Sequence, residues 1–136
     1  MDYKGYCLWA DDVPSADAPH YIVIASSENP EGKVLVVAIS SIKYRQNGSE
    51  KYYDKACVLS ENDIVDDRGN NVLSRPSFIR YEYAVEIAHK DLLKKQFNNH
   101  YRYKCKISDS LLKRIQDGAK ISQELEPRFY KYFNFF

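Results

Sequence analysis

The chain of 136 residues is poor in cysteine and glycine, and each shortage excludes a class of function. Its three cysteines, Cys7, Cys57 and Cys105, are widely spaced and form no Cys-x-x-Cys pair, which is typical of reduced thiols rather than of a disulfide framework. The five glycines are scattered and match neither a phosphate-binding loop nor a Gly-x-Ser-x-Gly nucleophile elbow. The sequence therefore predicts neither a nucleotide-binding loop nor a covalent serine hydrolase.

Paired histidines and long apolar runs are also missing. The three histidines, His20, His89 and His100, lack metal-ligand spacing to one another or to a cysteine, so we expect no metal and no other cofactor. The longest apolar run, residues 34–39, is far too short to cross a bilayer, and the N-terminus lacks the pattern of a signal peptide. We therefore expect a cytoplasmic protein without a membrane partner.

Aromatic residues are abundant instead, with 12 tyrosines and 6 phenylalanines. A tyrosine ring with its polar tip suits a half-buried sheet face or a binding surface. The net charge is only +1, but it is unevenly distributed: residues 1–18 carry one lysine and four aspartates, whereas residues 89–106 carry six basic residues and one aspartate. Such a chain can present a basic face to an anionic partner.

The hydrophobic pattern predicts one domain, residues 1–136, with five or six short strands and a helical C-terminal extension from about residue 108. Residues 33–42 are apolar on both alternating faces, which indicates a central strand covered on both sides. Residues 77–87 alternate cleanly, which indicates one solvent-facing side. Few crossover helices separate the strands, so we expect a mixed, mainly β fold: a small curved antiparallel barrel with C-terminal helices. The other strands are predicted at residues 3–10, 20–25, 55–59 and 101–107, and helices at residues 90–97, after a Ser108 cap and from Pro127.

Three polar residues are candidates for catalysis. His20 stands where a loop enters a strand and could transfer protons, although a capping histidine is an alternative. Ser40 ends the predicted central strand and could contact a phosphate, or could satisfy backbone groups there. Arg75 is held extended by Pro76 and could stabilise a phosphate, or could be a solvated loop residue.

A basic segment in the last third of the sequence, residues 101–104, is a candidate nucleic-acid surface. Tyr101, Arg102, Tyr103 and Lys104 alternate aromatic and basic side chains, as suits bases that stack and phosphates that need cations. The alternative is an edge strand whose charges resist aggregation. The aromatic segment 129–136 is interpreted as packing, or as a contact with a second copy or another protein.

Several segments together resemble one family. They are residues 20–24 (HYIVI), 33–42 (KVLVVAISSI), 54–61 (DKACVLSE), 74–81 (SRPSFIRY) and the helical 111–119 (LLKRIQDGA). In this order they resemble the PemK/MazF-like family of bacterial plasmid-maintenance toxins. Ser40, or Ser41 next to it, matches the family's hydroxyl at a strand end. Gly5 and Trp9 loosely match its N-terminal pattern. Pro19-His20 stands where typical members have Arg-Pro, so His20 or Arg75 would replace that arginine.

The resemblance implies an SH3-like barrel that acts as a homodimeric, metal-independent endoribonuclease and is inhibited by an antitoxin protein. We therefore expect the toxin part of a toxin–antitoxin system that cleaves single-stranded RNA, with His20, Arg75 and Ser40 as the catalytic residues. The alternative hypothesis is a non-catalytic SH3-like module that binds nucleic acid or protein, possibly in phage defence, because small barrels host many functions. A purely structural partner subunit is the third hypothesis.

Overall fold

The computed structural model describes residues 2–16 and 18–136, so Asp17, one of the N-terminal aspartates, lies outside the described residues. The described part contains six strands, two α-helices and one C-terminal 3₁₀ helix. The strands are β1 (Tyr6–Ala10), β2 (His20–Ile24), β3 (Lys33–Ser41), β4 (Val58–Leu59), β5 (Ser77–Ala88) and β6 (Tyr101–Lys106). The helices are α1 (His89–Phe97), α2 (Asp109–Ile121) and the 3₁₀ helix (Pro127–Phe135).

All six strands join one antiparallel sheet in the order β4-β5-β3-β2-β1-β6. The sheet curls into a half-barrel, and the helices that follow β6 complete the chain. The predicted fold class, a mainly β domain with a small curved antiparallel barrel and C-terminal helices, is confirmed.

Two hydrophobic cores cover the two faces of the sheet, and we call these the helix face and the loop face. Strand β3 contributes to both cores, because every residue from Val34 to Ile39 is buried, as its sequence predicts. The helix face packs against α2 and the 3₁₀ helix, and its core includes Cys7, Val23, Leu35, Ile79, Tyr81, Cys105, Ile115 and Phe129. The loop face has a smaller core that includes Leu8, Ile22, Val36, Ile87, Leu92 and Tyr101.

A bulge interrupts β5 and corrects the expectation of clean alternation along residues 77–87. Arg80 is paired with Ala38 of β3 and Val85 with Val36, so five steps along β5 match two steps along β3. Between these two pairs β5 thus has an odd number of residues more than β3, so the side chains of β5 change faces across the bulge. Ile79 contributes to the core of the helix face, whereas Ile87 contributes to the core of the loop face. Simple alternation fails here because the sequence pattern carries no sign of the extra residues.

Some predicted boundaries also change. The first strand begins at Tyr6 rather than residue 3, because Gly5 turns the chain with φ of 89° and donates its N–H to the Ile24 carbonyl. Ser60 with an acidic residue three positions on predicts a single helical turn. The structure has a non-helical turn there instead, in which the Ser60 N–H donates to Asp63 Oδ2. The Ser108 cap is confirmed: its Oγ accepts the Leu111 N–H at 3.2 Å.

None of the helices in residues 2–16 and 18–136 has the length and apolar character that a bilayer crossing requires.

Candidate active site

A cleft of about 760 Å³ opens at one end of the sheet. It lies where β1 ends, β2 begins, β3 ends and β5 begins, and the segment between β3 and β4 forms another wall. Aromatic and charged side chains dominate its lining. The lining residues include Trp9, His20, Tyr21, Ser40, Lys43, Lys51, Tyr52, Tyr53, Asp54, Phe78, Arg80, Glu82, Tyr83 and Glu124.

The sheet brings His20 and Ser40 to the same level on neighbouring strands. The register of β2 and β3 pairs Tyr21 with Ile39, and His20 and Ser40 are the next residues on each strand. On the far side of β3, Ser40 is paired with Phe78 of β5. Because facing residues on adjacent strands project to one side of the sheet, His20 and Ser40 share the loop face.

One ring nitrogen of His20 is fixed by the backbone. Its Nδ1 lies 2.7 Å from the Ala18 carbonyl oxygen, which can only accept a hydrogen bond, so Nδ1 carries a proton. In the neutral ring, Nε2 is therefore the basic atom. The side chain is partly exposed and lines the cleft, so Nε2 is available for proton transfer with a ligand.

The hydroxyl of Ser40 is buried and has no hydrogen-bond partner among the described residues. A buried polar atom without a partner costs free energy, about 1–3 kcal/mol on typical estimates. Ser40 lines the cleft, so a polar ligand atom there would satisfy this hydroxyl.

The bulge in β5 assembles the charged part of the cleft. Arg80 and Tyr83 are three residues apart and would project to opposite faces in a regular strand. After the bulge they meet on the loop face, where the Arg80 guanidinium carbon lies 4.1 Å from the Tyr83 ring centre. The ring of His20 contacts the same Tyr83 ring edge-on, with 5.6 Å between centroids. A potential proton-transfer group and a cation therefore flank one aromatic ring.

Two further contacts hold this group in place. The Nε of Arg80 donates to Oε1 of Glu82, two residues along the same strand. The carbonyl of Tyr83, within the bulge, accepts the Ser15 hydroxyl at 2.6 Å. The loop between β1 and β2 thus fixes the bulge, and the bulge fixes Arg80.

Of the three predicted catalytic residues, the structure brings His20 and Ser40 into the cleft but not Arg75. Arg75 is exposed in the loop before β5, where its carbonyl accepts the Ser77 hydroxyl, and it does not line the cleft. The arginine at the cleft is Arg80. Sequence reasoning missed it because the assignment depends on the bulge and on the register between β3 and β5.

The predicted basic surface on β6 is divided between the two faces of the sheet. Tyr101 is buried in the core of the loop face, where burial raises its pKa to about 12, so its ring is not free to stack on a base as expected. Tyr103 is half exposed and packs edge-on against Tyr6. Arg102 is paired with Trp9, itself part of the cleft wall, and lies 3.5 Å from Asp11. Lys104 is half-buried at the irregularity of this strand pair.

Three tyrosines of the cleft have raised pKa values, so their hydroxyls keep their protons near neutral pH. Burial raises the pKa of Tyr21, and burial together with a hydrogen bond to Glu50 raises that of Tyr53. The hydrogen bond to Glu124 raises the pKa of Tyr52. Asp54 lines the cleft too, but its carboxylate accepts the Ser122 hydroxyl and the Ala56 N–H.

Within residues 2–16 and 18–136, no three His, Cys, Asp or Glu side chains are grouped as metal ligands would be. A comparison with protein-family models and with curated proteins found no match to this chain. The resemblance to PemK/MazF-like toxins therefore stays a prediction, and the functional argument depends on the residues of the cleft.

Proposed function

We propose that the chain is a toxin-like endoribonuclease that cleaves single-stranded RNA in this cleft without a metal. The observation that carries the proposal is the grouping of His20, Ser40, Arg80 and Glu82 around one cleft at the end of the sheet. RNA supplies its own nucleophile, the 2′-hydroxyl next to the scissile phosphate. The protein then needs a base, an acid and a cation, which are the three functions that these side chains offer.

Proton transfer requires two groups. Glu82 Oε1 accepts from Arg80, which leaves Oε2 to take the proton from the 2′-hydroxyl. The 2′-oxygen then attacks phosphorus and the bond to the 5′-oxygen breaks. His20 enters this step with both ring nitrogens protonated, gives its Nε2 proton to the leaving oxygen and keeps the Nδ1 proton that the Ala18 carbonyl accepts. The products are a 2′,3′-cyclic phosphate and a free 5′-hydroxyl, and water restores both protonation states.

The developing negative charge of the phosphorane needs a fixed cation. The guanidinium of Arg80 is held by Glu82 and by the Tyr83 ring, so its orientation is set before substrate binds. Such preorganised charge is commonly the largest contribution to stabilising a transition state. The Ser40 hydroxyl, which has no partner within the described residues, would donate to a phosphate or sugar oxygen.

The test is incubation of the purified chain with mixed-sequence single-stranded RNA in EDTA, followed by analysis of cut positions and fragment ends. We expect discrete fragments with 2′,3′-cyclic phosphate ends, lost in His20→Ala and in Glu82→Gln. The matched controls are His100→Ala and Glu61→Gln, which change the same residue types at exposed positions outside the cleft lining. Loss of cleavage in the controls, or its retention in both cleft variants, would contradict the assignment.

A toxin role adds an expectation in cells. Expression of the chain should stop bacterial growth and reduce intact messenger RNA, while His20→Ala at the same protein level should not. An antitoxin would be a protein that restores growth by binding the active chain.

The pairing of Arg80 with Glu82 also favours a second candidate, a non-catalytic module for nucleic acid. An arginine neutralised by a carboxylate is a weaker cation for a phosphorane but still stacks and donates hydrogen bonds. Intact RNA after long incubation at high protein concentration, with binding still measurable, would establish this candidate instead of the nuclease.

A further inference from the structure

The segment between β3 and β4 contains a hairpin that sequence analysis did not assign to any function. Tyr44 and Glu50 form an antiparallel bridge, and the Lys51 N–H donates to the Lys43 carbonyl at 2.9 Å. The Arg45 N–H donates to the Ser49 carbonyl at 2.7 Å, and Gly48 turns the chain with φ of 86°. We call residues 43–53 the basic arm.

The basic arm is ordered by its own hydrogen bonds although it is outside both cores. Every residue from 43 to 52 is exposed. These ten residues include three basic side chains, Lys43, Arg45 and Lys51, and one acidic side chain, Glu50. An exposed hairpin with this excess of cations attracts an anionic chain.

Two contacts place the base of the arm against the cleft. The Tyr53 ring lies 5.1 Å from that of Phe78, the buried residue paired with Ser40. The Tyr52 hydroxyl donates to Glu124 Oε1 at 3.2 Å. As a result Lys43, Lys51 and Tyr52 line the same cleft as His20.

The ring of Tyr52 is presented to solvent in a fixed position. It is 83% exposed, yet its hydroxyl is tethered by Glu124. The Tyr52 ring does not contribute to a hydrophobic core, and its apolar surface is available to a binding partner. A flat ring beside paired lysines is the combination with which proteins bind single-stranded nucleic acid: bases stack on the ring and cations neutralise phosphates.

We infer that the basic arm binds the nucleotides of single-stranded RNA that lie next to the scissile phosphate. Tyr52 stacks on one base, and Lys43 and Lys51 each neutralise a phosphate. This inference rests on the proposed function for its chemistry, but it concerns a different part of the RNA: the flanking chain rather than the reacting atoms.

The test separates short from long RNA. A dinucleotide reaches only the catalytic group, whereas a 12-nucleotide strand also reaches the arm. We expect Tyr52→Ala and the double variant Lys43→Ala/Lys51→Ala to lower cleavage of the dinucleotide far less than cleavage of the 12-nucleotide strand. Both should lower kcat/KM for the longer strand, by about 5- to 150-fold for Tyr52→Ala, the usual effect of losing one stacked base.

Binding measurements in EDTA on the His20→Ala background keep the RNA intact. The double lysine variant should reduce the slope of log affinity against log salt by about 1.4, because each phosphate contact on a single strand contributes about 0.7. Lys90→Ala/Lys113→Ala removes the same charge from exposed positions outside the cleft lining and should leave the slope unchanged. Tyr52→Phe keeps the ring and should retain most of the affinity.

The outcomes distinguish the two proposals. Wild-type cleavage and salt slope in both arm variants would overturn the inference while leaving the nuclease intact. Arm-dependent binding without any cleavage would remove the nuclease and keep the arm. If the arm variants leave RNA binding unchanged but alter the mass measured by light scattering, the arm is a protein contact and the inference is wrong.

Discussion

The hydroxyl of Tyr81 on β5 occupies the space that a side chain on Gly118 of α2 would need. A Cβ atom on Gly118 would lie 2.3 Å from the Tyr81 oxygen and 2.9 Å from the Ala56 carbonyl oxygen. The Tyr81 hydroxyl donates to the Ile115 carbonyl at 2.7 Å, and burial raises its pKa well above the ordinary value. The close approach of α2 to the sheet thus depends on a glycine within a helix.

Gly118→Ala should therefore destabilise the fold, although alanine is normally the better helix former by about 1 kcal/mol. We expect the free energy of unfolding in urea to fall by about 1–3 kcal/mol, because the extra methyl group has no space. Tyr81→Phe should cost about 1 kcal/mol alone and relieve part of the clash, so the double variant should cost less than the sum. Additive costs would show that Tyr81 is not the obstacle.

The carboxylate of Glu86 should make stability depend on acid. Hydrogen bonding from Tyr132, at 2.6 Å, is the main cause that lowers the pKa of Glu86; burial opposes it, and Lys131 adds to the lowering. Because the pKa of Glu86 is lower in the folded than in the unfolded state, its carboxylate stabilises the fold at pH values above the unfolded-state pKa. This stabilisation is lost as the pH falls towards and through the folded-state pKa. Glu86→Gln should flatten the decline of unfolding free energy below about pH 5.

The control for this measurement is Glu61→Gln, at an exposed position. It should leave the pH dependence close to that of the wild type. An equal flattening in both variants would mean that the effect comes from net charge rather than from the Tyr132 hydrogen bond.

Arg80 and Arg75 make a matched pair for the proposed nuclease, because only Arg80 lines the cleft. Arg80→Ala should lower kcat/KM for RNA by roughly 100- to 1000-fold, the usual effect of removing one preorganised donor to a developing oxyanion. Arg75→Ala should stay within about twofold of the wild type, since exposed substitutions away from a site are usually small in effect. The reverse result would assign the role of catalytic cation to Arg75, as the sequence predicts.

The cap of α2 offers a prediction independent of function. Ser108→Ala removes the oxygen that accepts the Leu111 N–H and should cost about 1 kcal/mol of unfolding free energy. Ser74→Ala, at an exposed loop position, should stay within about 0.5 kcal/mol of the wild type. A negligible cost at Ser108 would show that water replaces the side chain as the cap.

Much of the fold could be predicted from local patterns. The central strand is uniformly apolar because both of its faces are covered, and the Ser108 cap follows from the chemistry of one hydroxyl and one N–H. The turn at Asn47-Gly48 is also a local feature: Asn-Gly is a frequent hairpin turn, and Gly48 adopts the positive φ that such a turn requires.

The candidate site was only half predictable, because it depends on relations between distant strands. His20 and Ser40 could be selected by their positions at strand ends. Arg80 could not, because its place in the cleft follows from its pairing with Ala38, 42 residues away. Tyr101 was misassigned for a similar reason: a tyrosine beside basic residues has the same sequence pattern whether its ring is buried or exposed.

The bulge in β5 makes the site sensitive to whether the number of residues between Arg80 and Tyr83 is odd or even. The excess on β5 relative to β3 is odd, and only an odd excess brings Arg80 and Tyr83 to one face. Deleting a single residue between them would send one of the two to the opposite side, whereas adding two would keep both together. Among homologues that keep the site, length changes in this short stretch should therefore come in pairs.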